Sequence, residues 1–172
     1  KKRRKGRYAE MIKIAVVDDE RPARSELKYQ LMELLPEAEI DEGDSGAAAL
    51  KLAGEGNYDL FFLDINLGDI SGTDLVHAVQ TMQPRARIVF VTAYSEYAVA
   101  AFELGVVDYV LKPYEKGRLK KVLDRCLAHD QGQTTAGKMK MPRKIPINSD
   151  GKTIFENVED LVFLETYQRG CL

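Results

Sequence analysis

"IKIAVVDDE", residues 12–20, carries a β-branched apolar run straight into two adjacent carboxylates, Asp18 and Asp19. Branched side chains are stiff at χ1 and pack well on a pleated surface, so residues 12–17 read as a strand. Two acids at the end of a buried strand repel each other and lose hydration, and something must offset that. Pro22 follows at once, suited to the first turn of a helix, where its missing N–H has no intrahelical partner. A strand that gives way so quickly to a helix opens a βα unit.

The unit recurs along the chain. Further strand-like runs are "AEID" (38–41), "YDLFFL" (58–63), "ARIVFV" (86–91) and "VDYVL" (107–111). Between them lie helical stretches. The first carries Ala23, Leu27, Leu31 and Leu34. The second, about 45–55, starts at Ser45, a good N-cap. The third, about 71–82, offers Leu75, Val76, Val79 and Met82, and the fourth, about 95–104, runs from Ser95 to Gly105. The fifth, about 115–128, bears Leu119, Val122, Leu123, Cys126 and Leu127 at i, i+3, i+4, i+7 and i+8. Strands alternating with helices predict an α/β fold with a parallel sheet covered on both faces. Near-continuous apolar strands agree, since such strands are buried on both sides.

Residues 129–142, "HDQGQTTAGKMKMP", are polar and Gly/Thr-rich and read as a linker. Beyond it, "SDGK" between "KIPIN" and "TIF" signals a hairpin, and "DLVFLETY" reads as a third strand. About 30 residues of this kind are too few for a robust domain. The expectation is a chain that stops inside a second domain.

Composition narrows the function classes. Apolar residues make up 45% of the 172, enough for a sizeable core. No run of about 18 apolar residues predicts a transmembrane span. The net charge of −2 conceals a local +5 in residues 1–10, "KKRRKGRYAE", against −7 in the remainder. Such a run could grip nucleic acid or anionic lipid. The plainer expectation is a disordered leader or cloning remnant, with Met11 as the natural start and no apolar stretch of the signal-peptide kind behind it. Cys126 and Cys171 match no metal spacing, and reduced thiols in a cytoplasmic protein are expected. His77 and His129 have no partner at a meaningful spacing and are expected at the surface.

In open α/β sheets ligands bind outside the carboxyl ends of the strands. At those ends stand Asp18 and Asp19, Asp64, Thr92 and Lys112. Singly, each has an ordinary explanation: Asp19 as a helix N-cap, Thr92 as a strand former, Lys112 as a solvated cation. Together they are three carboxylates, a hydroxyl and an ammonium at one edge. Clustered carboxylates need a cation, and hard oxygen ligands suit Mg²⁺, which favours phosphate oxygens as co-ligands. A carboxylate can attack phosphorus to form an acyl phosphate. Lys112 can pair with a phosphoryl oxygen, and the Thr92 hydroxyl can donate to another. The amides of "GDISG" (68–72) are further candidates to face such a group.

The stretches "VVDDE", "FFLDINLGDISG" and "VFVTAYSEYAVAAFELGVVDYVLKPY" together resemble a response-regulator receiver domain of two-component signalling, over about residues 11–128. The resemblance implies a flavodoxin-like (βα)5 fold with strand order 2-1-3-4-5. It implies Asp64 as phosphoacceptor, and Asp18, Asp19, Asp64 and the backbone carbonyl of Asn66 around Mg²⁺, Asp19 being the preferred direct ligand of the acid pair. Thr92 and Lys112 would contact the phosphoryl group, and Thr92 and Tyr109 would form the switch; read without the resemblance, Tyr109 is an ordinary strand aromatic. A cis Lys112–Pro113 bond is also implied. A histidine kinase would be the phosphoryl donor, with homodimerisation through the fourth helix, fifth strand and fifth helix.

"KIPINSDGKTIFENVEDLVFLETYQRG" resembles the start of a LytTR-type all-β DNA-binding domain, which places the N-terminal fragment of such a domain at residues 143–172. DNA binding would then belong to the full-length C-terminal domain and not to this fragment. The leading expectation is a phosphorylation-activated transcriptional regulator, a switch and not a turnover enzyme. Alternatives are a receiver with a protein-binding output, or an aspartyl-phosphate phosphohydrolase. The latter wants a second acid two residues past the nucleophile, where this chain has Asn66.

Overall fold

A computed structural model of the chain describes residues 11–127, 144–149 and 152–157. Strands β1 (Lys13–Val17), β2 (Glu39–Gly43), β3 (Leu60–Leu63), β4 (Arg87–Thr92) and β5 (Asp108–Leu111) alternate with helices α1 (Arg21–Leu34), α2 (Gly46–Glu55), α3 (Gly72–Met82), α4 (Ala98–Glu103) and α5 (Lys116–Leu127). The five strands form one parallel sheet in the order β2-β1-β3-β4-β5. This is the flavodoxin-like order that the resemblance implied. Strands β6 (Lys144–Ser149) and β7 (Lys152–Asn157) pair antiparallel, the hairpin expected around "SDGK". The expectations for residues 1–10, the linker and the strand "DLVFLETY" lie outside the described residues.

Successive strand residues face opposite sides of the sheet, and both sides are apolar. Ile14, Val16, Leu60, Phe62, Val89 and Val91 point to one face, under Leu27 and Leu31 of α1 and Leu119, Val122, Leu123 and Cys126 of α5. Ala15, Val17, Phe61, Leu63, Ile88 and Phe90 point to the other, under Ala49 and Ala53 of α2, Leu75, Val76 and Val79 of α3, and Ala101 of α4. Each buried Leu, Val or Phe contributes about 1.5–3 kcal/mol relative to exposure. That burial holds the strands in register and fixes where their carboxyl ends lie.

Local signals set the helix starts. The Ser45 hydroxyl accepts from the Ala48 amide at 3.2 Å, and the Ser71 hydroxyl from the Asp74 amide at 3.2 Å. At α1 the N-cap is Glu20, whose side chain makes no capping bond, and Pro22 occupies the first turn. Asp19 is therefore not used as the cap that its position alone suggests. Helix α4 begins at Ala98, three residues later than the sequence reading placed it. The Ala98 amide closes a turn on the Ser95 carbonyl at 3.3 Å, and the first i→i−4 bond runs from Ala101 to Tyr97 at 2.9 Å. Strand β2 extends to Gly43, past the expected Asp41, because β1 stays apolar to Val17 and offers pairing partners that far. The Lys112–Pro113 peptide is cis, as implied.

Candidate functional site

The sheet delivers its strand ends to one edge. The Asp64 amide donates to the Val17 carbonyl at 2.9 Å, which sets the end of β3 beside the end of β1. The Lys112 amide donates to the Thr92 carbonyl at 2.8 Å, which joins β5 to β4 at the same level. Carboxylate oxygens of Asp18, Asp19 and Asp64 come within 4.8 Å of one another. Asp18 and Asp64 are buried and Asp19 is exposed. Lys112 Nζ reaches Asp18 Oδ2 at 2.6 Å and Asp64 Oδ2 at 2.7 Å.

This bridge answers part of the electrostatic problem posed by the acid pair. One ammonium serves two buried carboxylates, and backbone amides serve their other oxygens: Glu20 donates to Asp18 Oδ1 at 2.9 Å and Asn66 to Asp64 Oδ1 at 3.3 Å. Arg24 Nη1 holds the Asp18 carbonyl at 2.6 Å. Burial still pushes the Asp18 carboxyl above its ordinary value, against the opposing pull of Lys112. For Lys112 burial alone would lower the pKa, but Asp18 and Asp64 outweigh it and the net shift is upward. At full formal charge, three carboxylates against one ammonium leave an excess of two negative charges. An all-oxygen cluster with that excess fits a hard divalent cation such as Mg²⁺.

Thr92 is fully buried at the end of β4, and its Oγ1 lies 3.5 Å from the Tyr94 amide. Tyr109 points inward, edge-on to Phe90 with ring centroids 6.2 Å apart, and its hydroxyl donates to the Tyr94 carbonyl. Burial, with Glu96 adding, raises the Tyr109 hydroxyl pKa, so this donor keeps its proton. Asn66 is exposed, and its Nδ2 donates to the Tyr94 hydroxyl at 3.0 Å. Tyr94 in turn meets Tyr97 edge-on at 6.3 Å. An open groove of about 360 Å³ runs between Asn66, Asp69 and Ile70 on one side and Tyr94 and Tyr97 on the other. All the residues named at the strand ends thus share one edge, and Tyr109 joins them through Tyr94.

In the loop after Asp64, two of the five candidate amides are already engaged within the protein. The Ile70 amide is given to the Asp69 carboxylate at 3.0 Å and the Gly72 amide to the Ile65 carbonyl at 3.1 Å, so neither serves a phosphoryl group. Asp69 was not anticipated as a residue of interest. Its carboxylate also takes the amides of Gly46 at 2.8 Å and Ala47 at 2.9 Å, which hold its pKa below the ordinary carboxylate range. No sequence cue marks it, because the amides that it takes lie 23 and 22 residues away in the chain. His77 is exposed on α3, as expected. Among the described residues no helix is long and apolar enough to cross a membrane.

Comparison with known proteins agrees with this geometry. Residues 14–124 match the family model described as "Response regulator receiver domain". The chain is 36% identical over 162 residues to the sensory transduction protein LytT of Bacillus cereus, covering 90% of this chain and 65% of that protein. It is 38% identical over 117 residues to the transcriptional regulatory protein LytR of Staphylococcus aureus, covering 68% of this chain and 48% of that protein. The chain therefore spans just under two thirds, or less, of the curated relatives it matches. Among solved structures it is similar to the response regulator TrrA of Thermotoga maritima in complex with Mg²⁺ and BeF. That match has a TM-score of 0.62 and 37% identity, and covers 68% of this chain and all of that one.

Proposed function

The chain belongs to the response-regulator receiver family, and on that premise we propose that it is a switch in which Asp64 accepts a phosphoryl group from a histidine kinase. The observation that carries this reading is Lys112, held at 2.6 and 2.7 Å by Asp18 and Asp64 inside a cluster of oxygen ligands. An Asp64 carboxylate oxygen attacks phosphorus, and an O–P bond forms. The N–P bond to the donor imidazole breaks, and its electron pair leaves on nitrogen. Lys112 passes from the Asp64 carboxylate to an oxygen of the incoming group, and the Thr92 hydroxyl donates to another. Asp18, Asp19, Asp64 and the Asn66 carbonyl would hold Mg²⁺. When bound, the ion neutralises the acid cluster and offsets charge on the phosphoryl oxygens. Attack of water on phosphorus returns the Asp64 carboxylate and inorganic phosphate. Asn66 offers no general base for that step, which favours a persistent switch over a turnover enzyme.

The switch runs from Thr92 through the Tyr94 backbone to Tyr109, and its output surface is the α4–β5–α5 face, where a second copy docks. In the longer protein a LytTR-type domain, begun by β6 and β7, binds DNA, and the whole acts in the cytoplasm. The β6–β7 hairpin and the names of the relatives support this reading. Acetyl phosphate with Mg²⁺ should raise the mass of the protein by one phosphoryl group, and Asp64→Asn should abolish the gain. An unchanged mass of the parent protein with both acetyl phosphate and a histidine kinase would contradict the proposal.

A further inference from the structure

The turn that carries Asn66 is closed at its base and fastened near its tip. Asn66 and Ser71 face each other as an antiparallel bridge, and Gly68 supplies the positive φ, +77°, that lets the chain reverse. At the base, Gly72 packs so tightly that a Cβ there would lie 2.8 Å from Ile65 Cα. Beyond the apex Asp69 reaches across to α2. Its Oδ1 accepts from Gly46 and Ile70 and its Oδ2 from Ala47.

The adjoining end of β2 also holds Asp18. The Gly43 carbonyl accepts the Asp18 amide at 3.1 Å. Gly43, Gly46 and Ala47 thus brace both halves of the cation site, Asp18 through the backbone and the Asn66 turn through Asp69. The approach is close enough to exclude a side chain: a Cβ on Gly46 would sit 2.8 Å from Ile70 Cβ and 3.0 Å from Asp69 Oδ1. Capping alone does not account for this contact. Ser45 already caps α2 through Ala48, whereas Asp69 ties that helix to a loop 22–23 residues away.

We propose that Asp69 is a positioning residue for the cation site, clamping the Asn66–Ser71 turn to the start of α2 so that Asn66 is held at the ligand position. This rests on the reading of the acid cluster as an Mg²⁺ site serving Asp64.

Mg²⁺ binding is measured by calorimetry on the parent protein, Asp69→Ala, Asp69→Asn, Gly46→Ala and Ser45→Ala, with circular dichroism as the check on folding. Asp69→Ala should weaken Mg²⁺ roughly tenfold, as the loss of residues that orient metal ligands does. Asp69→Asn, which keeps one acceptor oxygen, should lie between it and the parent. Gly46→Ala should weaken binding with every charge in place, which separates positioning from loss of a negative charge. Ser45→Ala should lower the melting temperature and leave the Mg²⁺ affinity unchanged. At saturating Mg²⁺ the Asp69→Ala rate of modification by acetyl phosphate should return to within about twofold of the parent. Affinity unchanged in folded Asp69→Ala, or lost equally in Ser45→Ala, would overturn the inference. If Asp69→Ala does not fold, Asp69→Asn and Gly46→Ala decide it on the same criterion. A parent protein that binds no Mg²⁺ would overturn the underlying reading of the acid cluster, and the inference with it.

Discussion

Gln83 is buried, and both protons of its Nε2 and its Oε1 are engaged in joining neighbouring segments. Its Oε1 accepts the Tyr58 amide at 2.8 Å, and its Nε2 donates to the Ala53 carbonyl at 2.7 Å and to the Gly56 carbonyl. Gln83→Ala would leave a buried amide and two carbonyls unmatched, and a loss of about 1–3 kcal/mol is expected in denaturant unfolding. A loss below a few tenths would show that water replaces the side chain at no cost. Nothing in the sequence marks Gln83, because its partners come from α2 and from the start of β3. Asp18, Asp19, Asp64, Thr92 and Lys112 were legible for the opposite reason. Each ends an apolar run, and the rule for parallel sheets brings those ends together. What the spacing could not reveal was the Lys112 bridge between two acids, which depends on side-chain reach across β1, β3 and β5. Asp69 stayed hidden likewise, since its partners are amides of another element.

Elements were legible where burial alone decides them and blurred where a neighbour does. The buried parts of β1 and β3 are apolar throughout and that of β4 is apolar up to Thr92, and the structure places these strands within a few residues of expectation. Strand β2 is an edge, with charges along it, and its length is set by β1. Those charges give the edge a pH dependence. The Tyr58 hydroxyl, 2.7 Å from Asp41 Oδ2, does most to hold the Asp41 carboxyl below its ordinary range, with Lys13 adding. Lys28, 2.7 Å from Glu42 Oε2, does the same for Glu42. Burial pushes Tyr58 up to about 12, with Asp41 adding, so it stays a donor. Depressed carboxyl values mean stability that is present above the unfolded values, about 3.9 and 4.3, and is lost as pH falls through the folded ones. The double variant Asp41→Asn, Glu42→Gln should therefore show a shallower fall in melting temperature than the parent between about pH 5 and pH 3. Equal slopes would remove these two acids from the acid limb.

At the scale of the molecule, the site and the proposed output face are joined through β4 and β5. Asp108, buried in β5, is bound by Arg118 at 2.6 Å and Arg125 at 2.5 Å, both from α5, so the strand and helix that flank Tyr109 are tied as one body. A shift at Thr92 that repositions Tyr109 would be felt at the α4–β5–α5 surface. Chromatography with light scattering should show a larger dimer fraction with Mg²⁺ and beryllofluoride than without. The same mass in both conditions would separate the site from this output. All of this depends on which carboxylate carries the phosphoryl group, and one chemical measurement reads that out. After treatment with acetyl phosphate and Mg²⁺, borohydride reduces an aspartyl phosphate to homoserine, which peptide mass spectrometry can place. Homoserine at position 64 is expected, with Asp18 and Asp19 intact; homoserine at position 18 or 19, or at none of the three, would contradict the assignment of Asp64.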